Sequence, residues 1–537
     1  MPHRPALEDP MIDPRTKLLQ AFWRYEQALM ANDVAVLDAL FASSPATIRS
    51  DGGTTLVGHE QIAAFRAGRP PVPPRRLTRV HVRDLSPTTA LVVAESVRAD
   101  GGTGVQTQVW SLDAGRWQVT TAHVSLAPAP PAPHLPDGAD LSTIWRVAAT
   151  DVNELAPFPE PAPSAGLPLT GLTVAVKDLF AVAGHRIGAG NPAWLAAAPV
   201  ETDSAWAVTA LLDAGARIAG IAHTDELAFS LAGTNIHYGT PPNAAAPGAI
   251  TGGSTSGPAA AVAAGLADVA LGTDTAGSVR VPASYCGLYG LRTTHDVVPR
   301  DGLVGLAPAF DAVGVLTRTA AHLAAAADAL LPPQHQPTDP ITRVVVVPAL
   351  MDLAGPAVQE AVSAALLALA LTSDAVVETA TEIGPGQLES WFAAFRTVQA
   401  AQGWAEHGAF VAAAPGAFEP AVEDRFLAGA QITAQELETA TAVLDQARAA
   451  LTALLPPGTA LALPSTSSTA PRVGASAVEI DFTRAATLRL TCLASLAGLP
   501  ALSVPTPRVG TSPVGLCLVA GPGQDRSLVE LATGGSL

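Results

Sequence analysis

The sequence predicts two domains, a small α+β domain followed by a large α/β domain. In the first part of the chain, helix-like stretches precede a series of short strand-like runs, an order that is typical of α+β domains. In the larger part, strand-like and helix-like stretches alternate, which indicates an extended mixed sheet covered by helices on both faces. A Pro/Ala-rich stretch, residues 127–138, lies between the two patterns and has the composition of a stiff linker.

The elements of the small domain follow from its hydrophobic periodicity. Residues 14–29 carry apolar side chains at helical spacing, and residues 34–41 form a second predicted helix that Asn32-Asp33 can cap. Five strands are predicted after it, at residues 47–49, 79–82, 90–96, 106–112 and 117–124. We therefore assign residues 1–127 to the first domain and residues 128–140 to the linker.

The large domain is assigned to residues 141–537. Its clearest helices are predicted at residues 204–214 and 256–266. Its clearest strands are predicted at residues 172–176, 217–222, 343–347 and 501–504.

Composition narrows the class of protein. A net charge of −17 argues against nucleic acid or an anionic membrane surface as a partner, because phosphate binding needs clustered Lys and Arg. The three cysteines form no CxxC pair or Cys/His cluster, so we expect neither a bound metal nor a disulfide framework. The sequence has no signal-peptide pattern and no uninterrupted run of about 18 apolar residues. We therefore expect a cytoplasmic protein.

Two turns rich in Gly, Ser and Thr stand out in the large domain. They span residues 251–258 and 271–280, with one predicted helix and one predicted strand between them. Taken alone, each is typical of a tight turn whose serine caps a helix, and the Gly-Lys-Ser/Thr of a phosphate loop is absent. Lys177, which ends the apolar strand 172–176, would by itself be a surface lysine. Together the two turns and the lysine favour a catalytic site.

These features make residues 140–537 resemble the amidase signature family. Ser254 and Ser278 are separated by the spacing that this family uses between its two serines. The resemblance implies the α/β amidase signature fold and an amidase activity. The matching segments are Val174-Ala-Val-Lys-Asp178, Gly233-Thr-Asn-Ile-His-Tyr-Gly-Thr-Pro-Pro-Asn243, Gly252-Gly-Ser254, Gly272-Thr-Asp-Thr-Ala-Gly-Ser278, Tyr285-Cys-Gly-Leu-Tyr-Gly-Leu-Arg292 and Leu499-Pro-Ala-Leu-Ser-Val-Pro505.

The resemblance implies a role for each member of a Ser-Ser-Lys triad. It makes Ser278 the nucleophile, Ser254 the bridging serine after a cis peptide bond, and Lys177 the base. A serine hydroxyl is a poor nucleophile until a base takes its proton, and a lysine can do this only when it is neutral. The ordinary lysine pKa is about 10.4, and full burial lowers it by as much as about 3–5 units. We therefore expect Lys177 to be buried.

The segment around the predicted nucleophile carries further expectations. An oxyanion formed during attack needs preplaced hydrogen-bond donors. Asp274 and Arg280 flank the nucleophile and are interpreted as a structural ion pair. Thr255 stands where the family usually has a second serine, and its hydroxyl preserves the predicted proton network. The predicted oxyanion donors are the backbone N–H groups of Thr275, Ala276, Gly277 and Ser278.

A Ser-His-Asp triad is disfavoured. His237 and His295 lie near the matching segments, but neither is accompanied by a Gly-x-Ser-x-Gly turn. No histidine is needed for the predicted chemistry.

The first domain resembles the AtzH-like family, typified by a 1,3-dicarboxyurea-hydrolysing protein and related to the SnoaL and ketosteroid isomerase type. The resemblance implies a cone-shaped, cystatin-like or SnoaL-like fold with an internal pocket. It is carried by Phe22-Trp-Arg-Tyr-Glu-Gln-Ala-Leu29, Thr47-Ile-Arg49, Gly58-His-Glu-Gln-Ile-Ala-Ala-Phe-Arg-Ala-Gly-Arg-Pro70 and Ala122-His-Val-Ser-Leu126. The residues that it places in or near the pocket are Tyr25, Arg49, Arg66, Arg69, Gln108 and His123.

Two interpretations of this domain remain. Arginines in a cone suit a carboxylated substrate, which favours an active or ligand-binding pocket. Asp51, two residues after Arg49, could instead neutralise the guanidinium, which favours an accessory or dimerising role.

The sequence thus predicts an amidase without a cofactor or a metal, acting on a small-molecule amide through an acyl-enzyme on Ser278. Alternatives within enzymology are a hydrolase of a carboxylated urea or allophanate-like compound, and an amidotransferase subunit. The alternative outside enzymology is an inactive scaffold with a ligand-binding cone domain. The oligomeric state stays open, and a homodimer is one option, because cone domains of this type often pair through their sheets.

Overall fold

A computed structural model describes most of the chain, and it divides into two compact units, residues 1–130 and 131–537. The described residues are 14–51, 54–68, 75–98, 103–126, 135, 138–149, 157–161, 166–332, 339–373, 375–505 and 507–533.

The small unit has helices and one six-stranded sheet, as an α+β domain requires. The strands follow the order β2-β1-β6-β5-β4-β3, in which only the β1–β6 pair is parallel among the described pairs. The third helix was not predicted from the sequence. The elements are α1 Pro14–Met30, α2 Val34–Leu40, β1 Ile48–Asp51, β2 Thr54–Val57, α3 His59–Ala67, β3 Arg75–Ser86, β4 Thr89–Arg98, β5 Thr103–Asp113 and β6 Arg116–Leu126.

The apolar stripe of α1 forms the core of the small unit. Leu18 and Phe22 are fully buried in one cluster with Val92, Trp110 and Val119 of the sheet. Because successive strand residues point to opposite faces, these sheet residues define one inner face. The helix therefore packs against that face, which confirms the predicted α+β arrangement.

The large unit is built on an eleven-stranded mixed sheet. Its order is β14-β13-β15-β19-β16-β11-β12-β10-β8-β9-β7, and a separate pair joins β17 to β18. The strands are β7 Trp145–Ala148, β8 Thr173–Lys177, β9 Arg217–Ala222, β10 Val269–Asp274, β11 Tyr289–Arg292, β12 Ala312–Thr317, β13 Arg343–Val346, β14 Val376–Thr379, β15 Thr459–Pro464, β16 Ala501–Val504, β17 Arg508–Val509, β18 Ser512–Pro513 and β19 Leu516–Ala520.

The central strands are covered on both faces. Every residue of β10, β12 and β15 is buried, although successive side chains point to opposite sides of the sheet. Both sides must therefore be packed, as predicted. The helices are α4 Pro192–Ala197, α5 Trp206–Asp213, α6 Ser256–Ala263, α7 Arg280–Cys286, α8 Ala320–Leu330, α9 Pro348–Met351, α10 Pro356–Thr372, α11 Pro385–Ala413, α12 Pro420–Ala430, α13 Ala434–Leu454, α14 Ala477–Leu496 and α15 Asp525–Thr533.

None of the helices in the described part of the chain combines the length and apolar character that a membrane span requires.

Three neighbouring parallel strands create the edge at which the predicted site lies. β8 pairs in parallel with β10 on one side and with β9 on the other. The carboxyl ends of parallel strands meet at the same edge of a sheet, where ligands usually bind. Lys177 ends β8, and the segment that carries Ser278 follows β10, so the topology brings both to that edge.

Asp33 caps α2 and offers a test of the small unit. Its side chain accepts a hydrogen bond from the backbone N–H of Val36 at 3.0 Å. Replacing an N-cap aspartate by alanine typically costs about 1 kcal/mol. We expect Asp33→Ala to speed amide hydrogen exchange in residues 34–40, measured by mass spectrometry, while Asp33→Asn leaves it unchanged. Equal exchange in Asp33→Ala and the wild-type protein would contradict the assigned cap.

Candidate active site

The amine of Lys177 lies at the edge of the sheet where β8 ends, and hydroxyl groups surround it. The residue is completely buried, and Nζ donates to Ser254 Oγ at 2.9 Å. It also donates to Thr273 Oγ1 at 2.7 Å and to Thr255 Oγ1 at 3.2 Å. No carboxylate lies among these three partners, so the amine has hydrogen-bond partners without an ion pair.

Burial allows the Lys177 amine to lose its proton near neutral pH. Loss of water around the amine lowers the pKa of Lys177 to about 7, although the charges of Asp225, Asp274 and Asp311 oppose this shift. Desolvation disfavours the charged form of an amine, whereas a nearby carboxylate favours it. A pKa near neutrality suits a general base.

Ser254 follows a cis peptide bond and is held by the loop after β9. The Gly253–Ser254 peptide is cis, and Ser254 is completely buried. The Ser254 carbonyl accepts from Thr224 Oγ1 at 2.8 Å and from the backbone N–H of Asp225 at 3.3 Å. These bonds fix the backbone, so the Ser254 hydroxyl is directed at Lys177.

The threonine at position 255 fits because a glycine lies opposite it. A Cβ added to Gly272 would lie 2.5 Å from Thr255 Cγ2, too close for any side chain. The Thr255 hydroxyl meanwhile donates to the Thr273 carbonyl at 3.3 Å. Gly272 therefore makes room for the extra methyl group, and the hydroxyl stays in the network as predicted.

Ser278 is buried in the turn between β10 and α7. Its carbonyl accepts from the backbone N–H of Thr255 at 3.2 Å, so the two Gly/Ser/Thr-rich turns are in direct contact. Among the described residues, no hydrogen bond is formed by Ser278 Oγ itself. The structure thus places Ser278 next to the Lys177–Ser254 pair, and the contact between the two serine hydroxyls stays a prediction.

Gly277 has a conformation and a setting that require glycine. Its φ is +119°, and an added Cβ would lie 2.8 Å from Thr491 of α14. Thr491 Oγ1 also donates to the carbonyl of Ala276. A close approach to α14 therefore sets the path of the backbone just before Ser278.

One of the four predicted oxyanion donors is already engaged. The N–H of Gly277 donates to Asp274 Oδ1 at 2.8 Å. The prediction for Gly277 is therefore wrong in this conformation, because an N–H that is held by a carboxylate is not available to substrate. The N–H groups of Thr275, Ala276 and Ser278 donate to no acceptor within the described residues, and they remain the candidate donors.

Asp274 forms the structural ion pair that the sequence predicts. Its carboxylate accepts from Arg280 Nη2 at 2.9 Å and Nε at 3.0 Å, and it lies 3.2 Å from Arg292 Nη1. All three side chains are completely buried. Burial would raise the pKa of Asp274, but the two guanidinium groups and the backbone N–H donors hold it well below its usual range. This carboxylate is therefore an anion that positions the turn.

The cone domain buries two of its predicted pocket residues in other interactions. Arg49 forms an ion pair with Asp51 at 2.9 Å and stacks on Phe65. Arg66 donates to the Leu37 carbonyl at 2.9 Å. Neutralisation of Arg49 by Asp51, considered from the sequence, is thus observed.

The other predicted pocket residues divide between the two faces of the sheet. Tyr25 is buried beside Trp110, with ring centroids 6.4 Å apart. His123 is exposed and contacts Ser50 Oγ at 2.8 Å. Its neighbour Ala122 faces inward, so the prediction that His123 lies near the pocket is wrong by one strand position. Arg69 lies outside the described residues.

Sequence reasoning missed several residues of both sites. Thr273 and Thr491 are ordinary polar residues in a strand and a helix, and only the folded chain brings them to Lys177 and Gly277. In the cone, Arg75 Nη2 of β3 pairs with Glu26 Oε2 of α1 at 2.8 Å, and both side chains are buried. An isolated arginine at the start of a strand carries no signal that would have revealed this pairing.

Comparisons with known proteins assign a family to each unit. The family described as Amidase matches residues 159–529, and the AtzH-like family matches residues 9–130. Amidase 1 of Oryza sativa subsp. japonica is 49% identical over 172 residues, which cover 32% of this chain and 40% of that protein. The chain therefore spans less than half the length of this curated relative.

Two further relatives cover more of the chain. The 1-carboxybiuret hydrolase subunit AtzE of Pseudomonas sp. (strain ADP) is 34% identical over 334 residues, which cover 59% of this chain and 71% of that protein. A solved inhibitor-bound complex, described as a vestigial protein complex that reveals the origins of an s-triazine catabolic enzyme, superposes with a TM-score of 0.62. It is 31% identical and covers 70% of this chain and 84% of that one. The chain therefore belongs to the amidase signature family and carries an AtzH-like domain at its N-terminal end.

Proposed function

We propose that this protein hydrolyses a C–N bond of an amide through an acyl-enzyme on Ser278. One observation carries the proposal above all others. The amine of Lys177 is buried, has a pKa of about 7, and contacts Ser254 in the turn that touches the Ser278 backbone. Such a base needs neither a histidine nor a metal ion.

In the proposed reaction, the protons follow the hydroxyl network. Ser278 Oγ attacks the substrate carbonyl carbon while its proton passes to Ser254 Oγ, and the Ser254 proton passes to neutral Lys177. The carbonyl oxygen becomes an oxyanion, which the free N–H groups of the Ser278 turn stabilise. As the C–N bond breaks, the proton returns from Lys177 through Ser254 to the leaving nitrogen. Water then cleaves the acyl ester by the same route and releases the acid.

Two alternatives use the same chemistry with other substrates. Similarity to AtzE, a 1-carboxybiuret hydrolase subunit by name, supports a carboxylated urea as substrate. An amidotransferase subunit is less favoured, because a net charge of −17 does not suit a partner rich in phosphate. An inactive scaffold is disfavoured because the buried amine and both serines are present.

Ser278 can be tested without knowing the substrate. We expect a fluorophosphonate probe to label the wild-type protein and to leave Ser278→Ala unlabelled, since an activated serine hydroxyl attacks phosphorus. Ser503 is a buried serine paired with Ser465 Oγ at 2.8 Å, so Ser503→Ala serves as a matched control and keeps the label. Labelling that persists in Ser278→Ala would show that another residue is the nucleophile.

The state of Lys177 predicts a pH profile. The base must be neutral, so kcat/KM rises as Lys177 loses its proton and reaches half of its plateau value at about pH 7. An ordinary lysine would extend the rise to about pH 10. We expect Lys177→Met to lower kcat by about 100- to 10,000-fold and to abolish this ionisation.

The profile is measured by ammonia release from primary amides between about pH 5.5 and 9.5, with Lys17→Met as the control because Lys17 is an exposed lysine of α1. A flat profile, or an inflection that survives in Lys177→Met, would exclude Lys177 as the base.

For the cone domain we propose binding of a small molecule that carries hydrogen-bond acceptors. Gln106, Gln108 and Trp110 point inward from β5, and all are buried. Gln108 Oε1 accepts from Trp110 Nε1 at 3.0 Å, but Gln108 Nε2 and Arg75 Nε have no hydrogen-bond partner among the described residues. Buried donors without acceptors are costly, so a ligand acceptor would stabilise them.

Gln108→Glu tests the cone proposal with little change in shape. The new carboxylate replaces the free amide donor and repels an anionic ligand. We expect at least about tenfold weaker binding of small carboxylates and carboxylated ureas, measured by calorimetry in a Ser278→Ala background. Gln118→Glu, on the neighbouring strand, is the control. If all these compounds bind equally to both variants, or none binds the parent, the accessory role is favoured.

A further inference from the structure

A narrow pocket, partly open to solvent, adjoins the proposed active site. Leu231 lines it, and the Leu231 carbonyl accepts from the backbone N–H of Gly253 at 2.9 Å, one residue before Ser254. Val281 and Tyr285 line it from α7, the helix that follows Ser278. The pocket is therefore lined by residues that contact or directly adjoin the two serine turns.

The opposite wall belongs to α14, which also touches the nucleophile turn. Thr491 of this helix contacts Ala276 and Gly277, as described above. Thr487 and Arg484 lie about one and two turns further toward the N-terminus of α14, and both line the pocket. Seven residues of helix span about 10 Å, which is the distance along α14 from Thr491 to Arg484. A substrate would therefore need several bonds between its reacting carbonyl and the group that reaches Arg484.

Arg484 is a charged residue without an acidic partner. Its Nε is completely buried and has no hydrogen-bond partner, and the residue forms no ion pair within the described part of the chain. Burial and the neighbouring positive charge of Arg425 lower the pKa of Arg484 to about 9, although Asp481 opposes this. The Asp481 carboxylate is largely exposed and lies 3.6 Å from Arg425 Nη2 instead.

We propose that Arg484 is a specificity residue that binds a carboxylate of the amide substrate. This inference rests on the proposed amidase function. A guanidinium fork matches a planar carboxylate, and such a ligand would satisfy the buried Nε. Leu231, Val281 and Ile250 provide apolar walls that would contact the carbon spacer between the carboxylate and the scissile carbonyl.

A purely structural role for Arg484 is less consistent with these contacts. The buried arginines that support the fold here, Arg280 and Arg292, hold Asp274 and backbone carbonyls. Arg484 has no such contact among the described residues, and Arg425 adds to the positive charge around it. The arrangement stabilises an incoming anion more than it stabilises the empty protein.

The test compares charged and neutral substrates of equal length. We expect wild-type kcat/KM to be higher for monoamides of four- to six-carbon dicarboxylic acids than for the matching uncharged primary amides. Arg484→Gln should lower kcat/KM for the carboxylated series by about 10- to 100-fold, mainly through KM, and leave the neutral series within about threefold. Arg484→Lys should restore part of the preference. Arg489→Gln is the control, because Arg489 is an arginine of the same helix that pairs with Glu389.

A second measurement does not require turnover. Glutarate should slow fluorophosphonate labelling of Ser278 in the wild-type protein and in Arg489→Gln, but not in Arg484→Gln. N-acetyl amino acids are compared with glutaramate to show whether the carboxylate lies on the leaving group or on the acyl group.

The outcomes separate this inference from the proposed function. An equal loss for charged and neutral amides in Arg484→Gln, or no preference for carboxylates in the wild-type protein, would overturn the inference while labelling of Ser278 still supports the hydrolase. Absence of both labelling and hydrolysis would overturn the proposed function itself.

Discussion

The arrangement of the site depends on keeping the Lys177 amine away from both water and carboxylates. β8 lies between two parallel strands, so its last residue is enclosed on both sides. The amine contacts three hydroxyl groups, whereas the Asp225 carboxylate is occupied by the Gly233 N–H and the Ser256 hydroxyl. A carboxylate in direct contact would favour the ammonium form. The hydrogen bonds that occupy the nearby carboxylates therefore matter as much to the pKa of Lys177 as the burial of its amine.

The same separation of charges organises the nucleophile turn. Thr273, which contacts the Lys177 amine, is followed directly in β10 by Asp274, where the turn begins. Two buried guanidinium groups hold the Asp274 anion, and the anion in turn holds the Gly277 N–H. Removing one partner of such a buried group typically costs about 3–5 kcal/mol, because an unpaired charge is left behind. The turn is thus fixed by an ionic cluster that lies outside the proposed path of proton transfer.

Whether a feature of the fold or of the site could be predicted from the sequence depends on how far apart in the chain its interacting residues lie. The Ser254 and Ser278 turns and the strand that ends at Lys177 are local patterns, and their order in the chain indicated both the fold and the candidate residues. The third partner of the amine, Thr273, could not be recognised, because its role comes from strand pairing. His123 shows the same limit, since one position along β6 decides which face of the sheet a side chain occupies. The engagement of the Gly277 N–H depends on the local path of the turn, which composition alone does not give.

Helix α14 links the two halves of the proposed chemistry. Thr491 contacts the backbone just before Ser278, and two turns earlier the same helix presents Arg484 to the adjoining pocket. A helix is rigid over this length, so the distance between the reacting carbonyl and the proposed carboxylate site is set by the fold and not by a flexible loop. The two cations then have different proposed tasks for a physical reason. Lys177 is completely buried, is satisfied by hydroxyl groups and can lose its proton, whereas Arg484 is partly exposed, keeps its charge at neutral pH and has a buried Nε that a bound anion would satisfy.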